Sequence, residues 1–195
     1  MTQSNALISI FILYILTTAS ITAQTKFEKE YRIHEKDAPT KALNFVSDSF
    51  IDSKIKWYQE ESHEGKTIEA KTLFNKVRHS IEFDTLGNLI DVERTIKFSD
   101  LASLLQEKIS TSLKKEFSNF KISKTQIQWK ASSRQTLISL INNQYTNEVY
   151  TQNYEIVLKG KKNKTYANYE VLLDQEGVIV KVLEILPRNT DNLEF

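Results

Sequence analysis

A hairpin signature occurs twice in this chain, offset by 90 residues. Asp84 and Gly87 in the first copy correspond to Asp174 and Gly177 in the second, and five apolar positions also match. An Asp that starts a tight turn and a Gly that tolerates positive φ are typical of a β-hairpin. Two copies of one supersecondary unit indicate a duplicated structure in which each copy completes its core partly against the other.

The repeat extends to the elements that precede each hairpin. Apolar residues at helical spacing predict amphipathic helices over 39–52 and 100–117. Each helix is followed by an Ile-x-Trp strand, which contains Trp57 or Trp129, and then by a three-stranded meander. We therefore predict an α+β fold of two fused helix-plus-antiparallel-meander repeats, with the helices packed on one face of antiparallel sheet. Because repeated positions indicate repeated packing, both tryptophans are assigned to the core.

The predicted domain organisation follows from this repeat. It consists of a signal peptide (1–23), a lead-in arm (24–38), a first repeat (39–98), a second repeat (99–186) with an insertion (131–149), and a polar tail (187–195). The arm is either an extended lead-in or an edge strand. We expect a short helix within the insertion. The first meander turn of the second repeat, 160–164, is expected to be longer than its counterpart at Asn75.

The first 25 residues carry no charged side chain. An apolar run from Ala6 to Leu16, followed by small residues, is typical of a secretory signal peptide that is cleaved after Ala23. Because Met1 to Asn5 lacks Lys and Arg, an uncleaved N-terminal anchor is the alternative. We predict an exported protein, periplasmic or secreted, with no membrane span after signal cleavage.

Composition excludes several classes of function. The chain is 40% hydrophobic and 26% charged, which is typical of a globular domain. Its net charge of +1 gives no support for nucleic-acid binding, which usually requires a strongly basic face. The absence of cysteine excludes disulfides, thiolate metal sites and thiol nucleophiles.

No catalytic motif is present in the sequence. It contains no Gly-rich phosphate loop, no Gly-x-Ser-x-Gly and no His-Glu-x-x-His. We therefore assign no catalytic residue, no cofactor and no metal ligand, and expect that the protein is not an enzyme unless the 131–149 insertion completes a site. His79 lies on the apolar side of its strand and is interpreted as a hydrogen-bonded core residue. Asp84 and Asp174 are interpreted as turn residues and not as a carboxylate pair.

The candidate partner surface consists of Tyr58, Glu60 and Glu61. Tyr58 has no counterpart in the second repeat and faces opposite to Trp57 on its strand, so we expect it to be exposed. Tyrosine is enriched among the residues that dominate binding energies. The neighbouring acidic turn, 60–64, also contains His63, and its carboxylates and imidazole together suit weak cation binding.

The order of these elements resembles the PepSY-like domain of exported bacterial proteins, which is also described as beta-lactamase-inhibitor-like. The matching features, over roughly residues 39–186, are the helix, the Ile-x-Trp strand, Glu69, the Glu82-Phe-Asp-x-x-Gly-x-Leu89 hairpin, Lys121–Ile127, Tyr154-Glu-Ile and Tyr169-Glu-Val. The insertion departs from a plain tandem. The resemblance implies an α+β fold, export, and binding or inhibition of other proteins without catalytic residues.

The expected function is therefore an exported, non-enzymatic module that binds or inhibits a protein or peptide in the cell envelope. The alternative is a periplasmic protein that binds a small ligand or metal through the Glu60–Glu64 turn.

Overall fold

The computed structural model describes residues 24–50, 53–63 and 65–186. The predicted signal peptide and the polar tail lie outside the described residues. Within the described ranges, no helix is both long and apolar enough to cross a membrane.

Ten strands and three α-helices make up the described chain. In chain order they are β1 (Gln24–Lys26), β2 (Glu28–Ile33), α1 (Thr40–Ser49), β3 (Ile55–Ser62), β4 (Gly65–Phe74), β5 (Val77–Asp84), β6 (Leu89–Ile96), α2 (Ser103–Glu116), β7 (Asn119–Lys130), α3 (Arg134–Ile141), β8 (Thr151–Lys162), β9 (Thr165–Leu173) and β10 (Ile179–Ile185).

All ten strands belong to one sheet, in the order β1-β10-β9-β8-β7-β6-β5-β4-β3-β2. Neighbouring strands are antiparallel except β1, which pairs in parallel with β10. β1 and β2 lie at opposite ends of this order, although Phe27 alone separates them in sequence. The sheet must therefore curl until its two edges approach each other, which gives it an inner and an outer face.

The predicted fold class is wrong. Strands account for 52% of the described residues, and helices for 24% when the short 3-10 helices Glu35–Asp37 and Phe98–Asp100 are included. The two predicted repeats do not form helix-covered layers of their own, because β6 pairs with β7 and joins all the strands into one nearly closed sheet. Pairing between successive strands satisfies the backbone along the whole meander, so the chain forms one curled sheet instead of two units.

The apolar core consists of two clusters. The first combines residues of α1 and α3 with residues of β3 to β7, and both Trp57 and Trp129 belong to it. The second combines residues of α2 with residues of β8 and β9. Side chains alternate between the two faces along a strand. Because the apolar side chains of these clusters are buried on the outer face, the side chains between them point to the inner face.

Two local expectations are also wrong. The first meander turn of the second repeat is not longer, because β8 continues to Lys162 and the turn consists of Asn163 and Lys164 alone. Their φ values of 51° and 68° match the 49° and 64° of Asn75 and Lys76, as in a type I′ hairpin. Gly160, expected in that turn, lies within β8, where an added Cβ would come within 2.6 Å of the Phe117 ring.

Candidate functional site

The inner face of the sheet encloses a cavity of about 1160 Å³. Side chains or backbone from all ten strands line it. Pockets for small molecules usually measure roughly 300–1,000 Å³, so this cavity has room for more than a small ligand.

The cavity is acidic, and its charge is unevenly distributed. The described lining residues include nine carboxyl side chains and five lysines. Strands β2 to β6 supply seven of the carboxyls but only one of the lysines: Glu28, Glu30, Glu60, Glu69, Glu82, Asp91, Glu93 and Lys71. Strands β1 and β7 to β10 supply the others: Glu155, Glu170, Lys26, Lys124, Lys130 and Lys181.

Five of these carboxyls form a row across five adjacent strands, here called the acidic row: Glu30, Glu60, Glu69, Glu82 and Asp91. Glu30 lies directly opposite Glu60, Glu69 opposite Glu82, and Glu82 opposite Asp91. Like charges directly opposite each other on neighbouring strands destabilise a sheet. The acidic row is therefore not explained by the stability of the fold.

One lysine serves as the counter-ion at one end of the acidic row. Carboxylate oxygens of Glu30, Glu60 and Glu69 lie within 4.8 Å of one another, a spacing that suits a metal ion. However, Lys71 Nζ lies 3.1 Å from Glu30 Oε1 and 2.8 Å from Glu69 Oε2, and the Ser80 hydroxyl also donates to Glu69. The lysine ammonium thus supplies the positive charge that a cation would bring.

Glu60 holds a proton that its neighbour lacks. Burial and, second to it, the hydrogen bond to Glu69 raise the pKa of Glu60 to about 9. Burial alone would raise the pKa of Glu69 as well, but the hydrogen bond from Glu60 and the ion pair with Lys71 lower it. At neutral pH we therefore assign the pair one proton, which Glu60 donates to Glu69.

Strand β6 contributes two carboxyls to the cavity lining: Asp91, which ends the acidic row, and the half-buried Glu93. Burial and the nearby Glu82 raise the pKa of Asp91 to about 7. Burial and the nearby Glu155 raise the pKa of Glu93 well above its ordinary value. Gln126 Nε2 donates to Glu93 Oε2 at 2.8 Å, whereas Gln126 Oε1 accepts no hydrogen bond from any described residue.

The structure separates the three residues of the candidate partner surface. Tyr58 and Glu60 both lie on the inner face, and Tyr58 is half-buried and not exposed as expected, with Lys71 Nζ 4.9 Å from its ring centroid. Glu61 lies on the other side of the strand and forms an ion pair with Lys66 at 2.6 Å. Of the three, Glu60 alone lines the cavity, and Tyr58 lies beside it on the same face of the sheet.

The two aspartates of the hairpin signature are in equivalent turns. Oδ1 of Asp84 and of Asp174 each accepts backbone N–H groups from the residues two and four positions later. Gly87 and Gly177 have φ values of 79° and 78°. None of these four residues lines the cavity.

His79, Trp57 and Trp129 are buried away from the cavity. His79 packs against aromatic rings of the first core cluster, and burial together with Arg94 lowers its pKa to about 4. It is therefore neutral at pH 7. Trp129 donates its indole N–H to Gln152 Oε1 at 3.0 Å.

The 131–149 insertion packs on the outer face. Its helix α3 contributes Leu137 and Ile141 to the first core cluster, and Arg134 donates to the backbone oxygen of Asn44 at 2.6 Å. None of its residues lines the cavity. The structure therefore gives no support for an enzymatic site completed by this insertion.

Sequence reasoning did not identify the acidic row. The available signal was an acidic residue in each of four predicted extended segments, together with Glu60 in the predicted turn 60–64. Whether those residues meet depends on strand register and on the curl of the sheet, which no local pattern specifies.

Comparisons with known proteins establish the fold and no more. No protein-family model and no curated protein matches the sequence. Among solved structures, the chain is similar to a DUF2874 family protein from Bacteroides ovatus, with a TM-score of 0.51 and 11% identity over 75% of this chain and 87% of that chain. At this level of identity the similarity concerns architecture, and the PepSY-like resemblance stays a prediction.

Proposed function

We propose that this protein is an exported, non-enzymatic binding module that takes a segment of a protein or peptide of the cell envelope into its cavity. The observation that carries the proposal is the acidic row, in which like charges face each other on neighbouring strands. Natural proteins break one or two such local rules at functional sites and compensate for the cost elsewhere in the fold.

The size and the composition of the cavity support a peptide-sized partner. Its volume of about 1160 Å³ exceeds that of most small-ligand pockets. Tyr58 lies on the same face as Glu60, beside the row of carboxyls, and offers an aromatic surface of the kind that is enriched at protein interfaces.

The competing proposal is a metal site. It is supported by the spacing of Glu30, Glu60 and Glu69. The two ion pairs made by Lys71 weigh against it, because a cation entering this cluster would have to displace the ammonium group. Calorimetry with calcium, on the wild type and on Lys71→Met, distinguishes the two: a heat of binding in the wild type would support the metal site.

Site-specific photo-cross-linking tests the proposed use of the cavity. A benzophenone amino acid at position 58 lies on the inner face, two residues from the cavity-lining Glu60, whereas the same group at position 59 projects from the other side of β3. In cells that export the protein, we expect cross-links to envelope proteins from position 58 and few from position 59. Cross-links of equal yield from both positions, or none from position 58, would contradict the proposal.

A charge substitution supplies a matched check. Glu60→Lys places a positive charge in the cavity, and Glu61→Lys places the same charge one residue away on the other side of the strand. We expect cross-linking from position 58 to fall in the first variant and to persist in the second. Circular dichroism melts would establish that both variants are folded.

The proposal that the protein is exported rests on the sequence of residues 1–23. N-terminal sequencing of the exported protein is expected to begin at Gln24. Recovery of an intact Met1 in the membrane fraction would establish the anchor alternative instead.

A further inference from the structure

The wall of the cavity that faces the acidic row is partly apolar. Val157, Leu172, Leu183 and Ile185 come from β8, β9 and β10 and all line the cavity. The cavity thus combines one strongly acidic wall with one wall that presents apolar side chains between charged ones.

We infer that the cavity binds a basic peptide segment, whose lysine or arginine side chains pair with the acidic row while its apolar side chains pack against Val157, Leu172, Leu183 and Ile185. This inference rests on the proposed function and specifies the chemistry of the partner.

The first argument is the charge of the acidic wall. Among the described lining residues, β2 to β6 present seven carboxyls and one lysine, and that lysine contacts Glu30 and Glu69. Glu60 is instead hydrogen-bonded to the carboxyl group of Glu69, and Glu82 to the hydroxyl group of Thr67. Lys26 from β1 and Lys130 from β7 already pair with Glu28 and Asp91, at 2.9 and 3.6 Å. Basic side chains from a partner would pair with the other carboxyls of this wall, Glu60, Glu82 and Glu93, which form no ion pair within 4 Å with a described residue.

The second argument concerns Gln126, which lies behind the cavity lining. Gln126 is 4% exposed, lies directly opposite Glu155 and donates to Glu93, and both of these glutamates line the cavity although Gln126 itself does not. Its Oε1 is buried and accepts no hydrogen bond from the described residues. A buried acceptor without a donor is costly, so the polar groups on this part of the inner face are not fully satisfied by the described residues.

The third argument is geometric. Strands lie about 4.8 Å apart, so a row across five strands extends about 19 Å. Along an extended peptide, side chains on one face recur every ~6.8 Å, so three basic residues at alternate positions extend about 13.5 Å. An alternating basic and apolar segment can therefore present three charges to the acidic row and its apolar side chains to the opposite wall.

Binding should be linked to proton release. Glu60 faces Glu30 on β2 and Glu69 and Lys71 on β4, and burial together with the hydrogen bond to Glu69 raises its pKa to about 9. An ammonium group that enters the cavity favours the ionised carboxyl, so the proton leaves as the peptide binds.

The test uses the mature protein and three fluorescent probe peptides: an acetylated, amidated Lys-Leu-Lys-Leu-Lys, its Glu-Leu counterpart and its Lys-Ser counterpart. We expect fluorescence anisotropy to detect the Lys-Leu peptide, to detect the Lys-Ser peptide more weakly and not to detect the Glu-Leu peptide. Calorimetry at pH 8 in buffers of different ionisation enthalpy should show that the Lys-Leu peptide releases protons on binding.

Matched variants separate the cavity from general surface charge. Glu60→Gln with Glu82→Gln removes two carboxyls of the acidic row, and Glu107→Gln with Glu148→Gln removes two exposed carboxyls outside the cavity. We expect the first pair to weaken binding of the Lys-Leu peptide by about tenfold or more, since charge-assisted hydrogen bonds are lost, and the second pair to leave it within about twofold.

Every other outcome of these experiments decides against the inference or against the proposed function. Equal weakening by both pairs, binding of the Glu-Leu peptide, or binding without proton release would overturn the inference. Absence of Lys-Leu binding while cross-links from position 58 persist would overturn the inference and leave the proposed function standing. Loss of the cross-links themselves would overturn the proposed function.

Discussion

At the scale of the residue, glycine is required at position 87 for two separate reasons. Its φ of 79° lies in the left-handed region, which other residues adopt only with strain. An added Cβ would also lie 2.7 Å from Pro39 Cβ, at the start of α1. Gly177 has nearly the same φ, 78°, but its nearest contacts, Ile109 Cγ1 at 3.1 Å and Ile109 N at 3.2 Å, are less close.

We predict that Gly87→Ala destabilises the fold more than Gly177→Ala does. Backbone strain, about 1–2 kcal/mol, is common to both variants because their φ values match. The difference between the two therefore reports the close contact with Pro39. Urea unfolding followed by circular dichroism would measure it, and equal losses of stability would show that the hairpin does not press against α1.

At the scale of the element, the strands bring carboxyls together that lie far apart in the chain. Glu30, Glu69 and Asp91 belong to three different strands, yet they lie in one row because the register of each strand pair places them there. Burial in the row raises the pKa of Glu60 to about 9 and that of Asp91 to about 7. The folded state therefore retains protons that the unfolded chain releases.

This proton retention predicts an unusual pH dependence. A carboxyl whose pKa rises on folding contributes its full stability below its ordinary pKa, 4.5 for Glu60, and loses it as the pH rises towards about 9. Glu60→Gln mimics the protonated form at every pH. We expect this variant to melt at a higher temperature than the wild type at pH 9 and at a similar temperature at pH 5.

Glu107→Gln is the control for this comparison, because Glu107 is exposed on α2. Its melting temperature should follow that of the wild type across the whole pH range. If Glu60→Gln also ran parallel to the wild type, Glu60 would not be protonated in the folded protein.

At the scale of the whole molecule, the closure of the sheet depends on the short strand β1. Lys26 Nζ lies 2.6 Å from Glu170 Oε2 on β9 and 2.9 Å from Glu28 Oε1 on β2, so it links the two ends of the strand order. Burial alone would lower the pKa of Lys26, but Glu170 and Glu28 outweigh it and the pKa is raised. The ammonium group is therefore charged in the folded protein.

We predict that Lys26→Met destabilises the fold by about 3 kcal/mol, because it leaves the carboxylate of Glu170 buried without its partner. The double variant Lys26→Met with Glu170→Gln should recover most of that loss, since no unpaired charge then remains. Thermal melts of the two single variants and the double variant form the cycle that checks this. Additive losses would show that the two side chains do not interact across the closure.

Features that depend on neighbours in the chain were predictable. The Asp84–Gly87 turn, the helices α1 and α2, and the short helix α3 follow from hydrogen bonds and contacts within a few residues, so composition and periodicity indicated them. The division between Tyr58 and Trp57 followed from strand alternation, but the exposure of Tyr58 did not, because the opposite end of the sheet covers the inner face.

The sequence by itself therefore determined the order of the elements from α1 onward and the two tight turns, because short-range sterics and hydrogen bonding specify both. Only the tertiary structure decided that β6 pairs with β7, that the ten strands form one curled sheet and that Glu60 and not Glu61 joins the cavity. The reason is physical: register and curl depend on contacts between distant strands, and a shift of one residue would move every side chain to the opposite face.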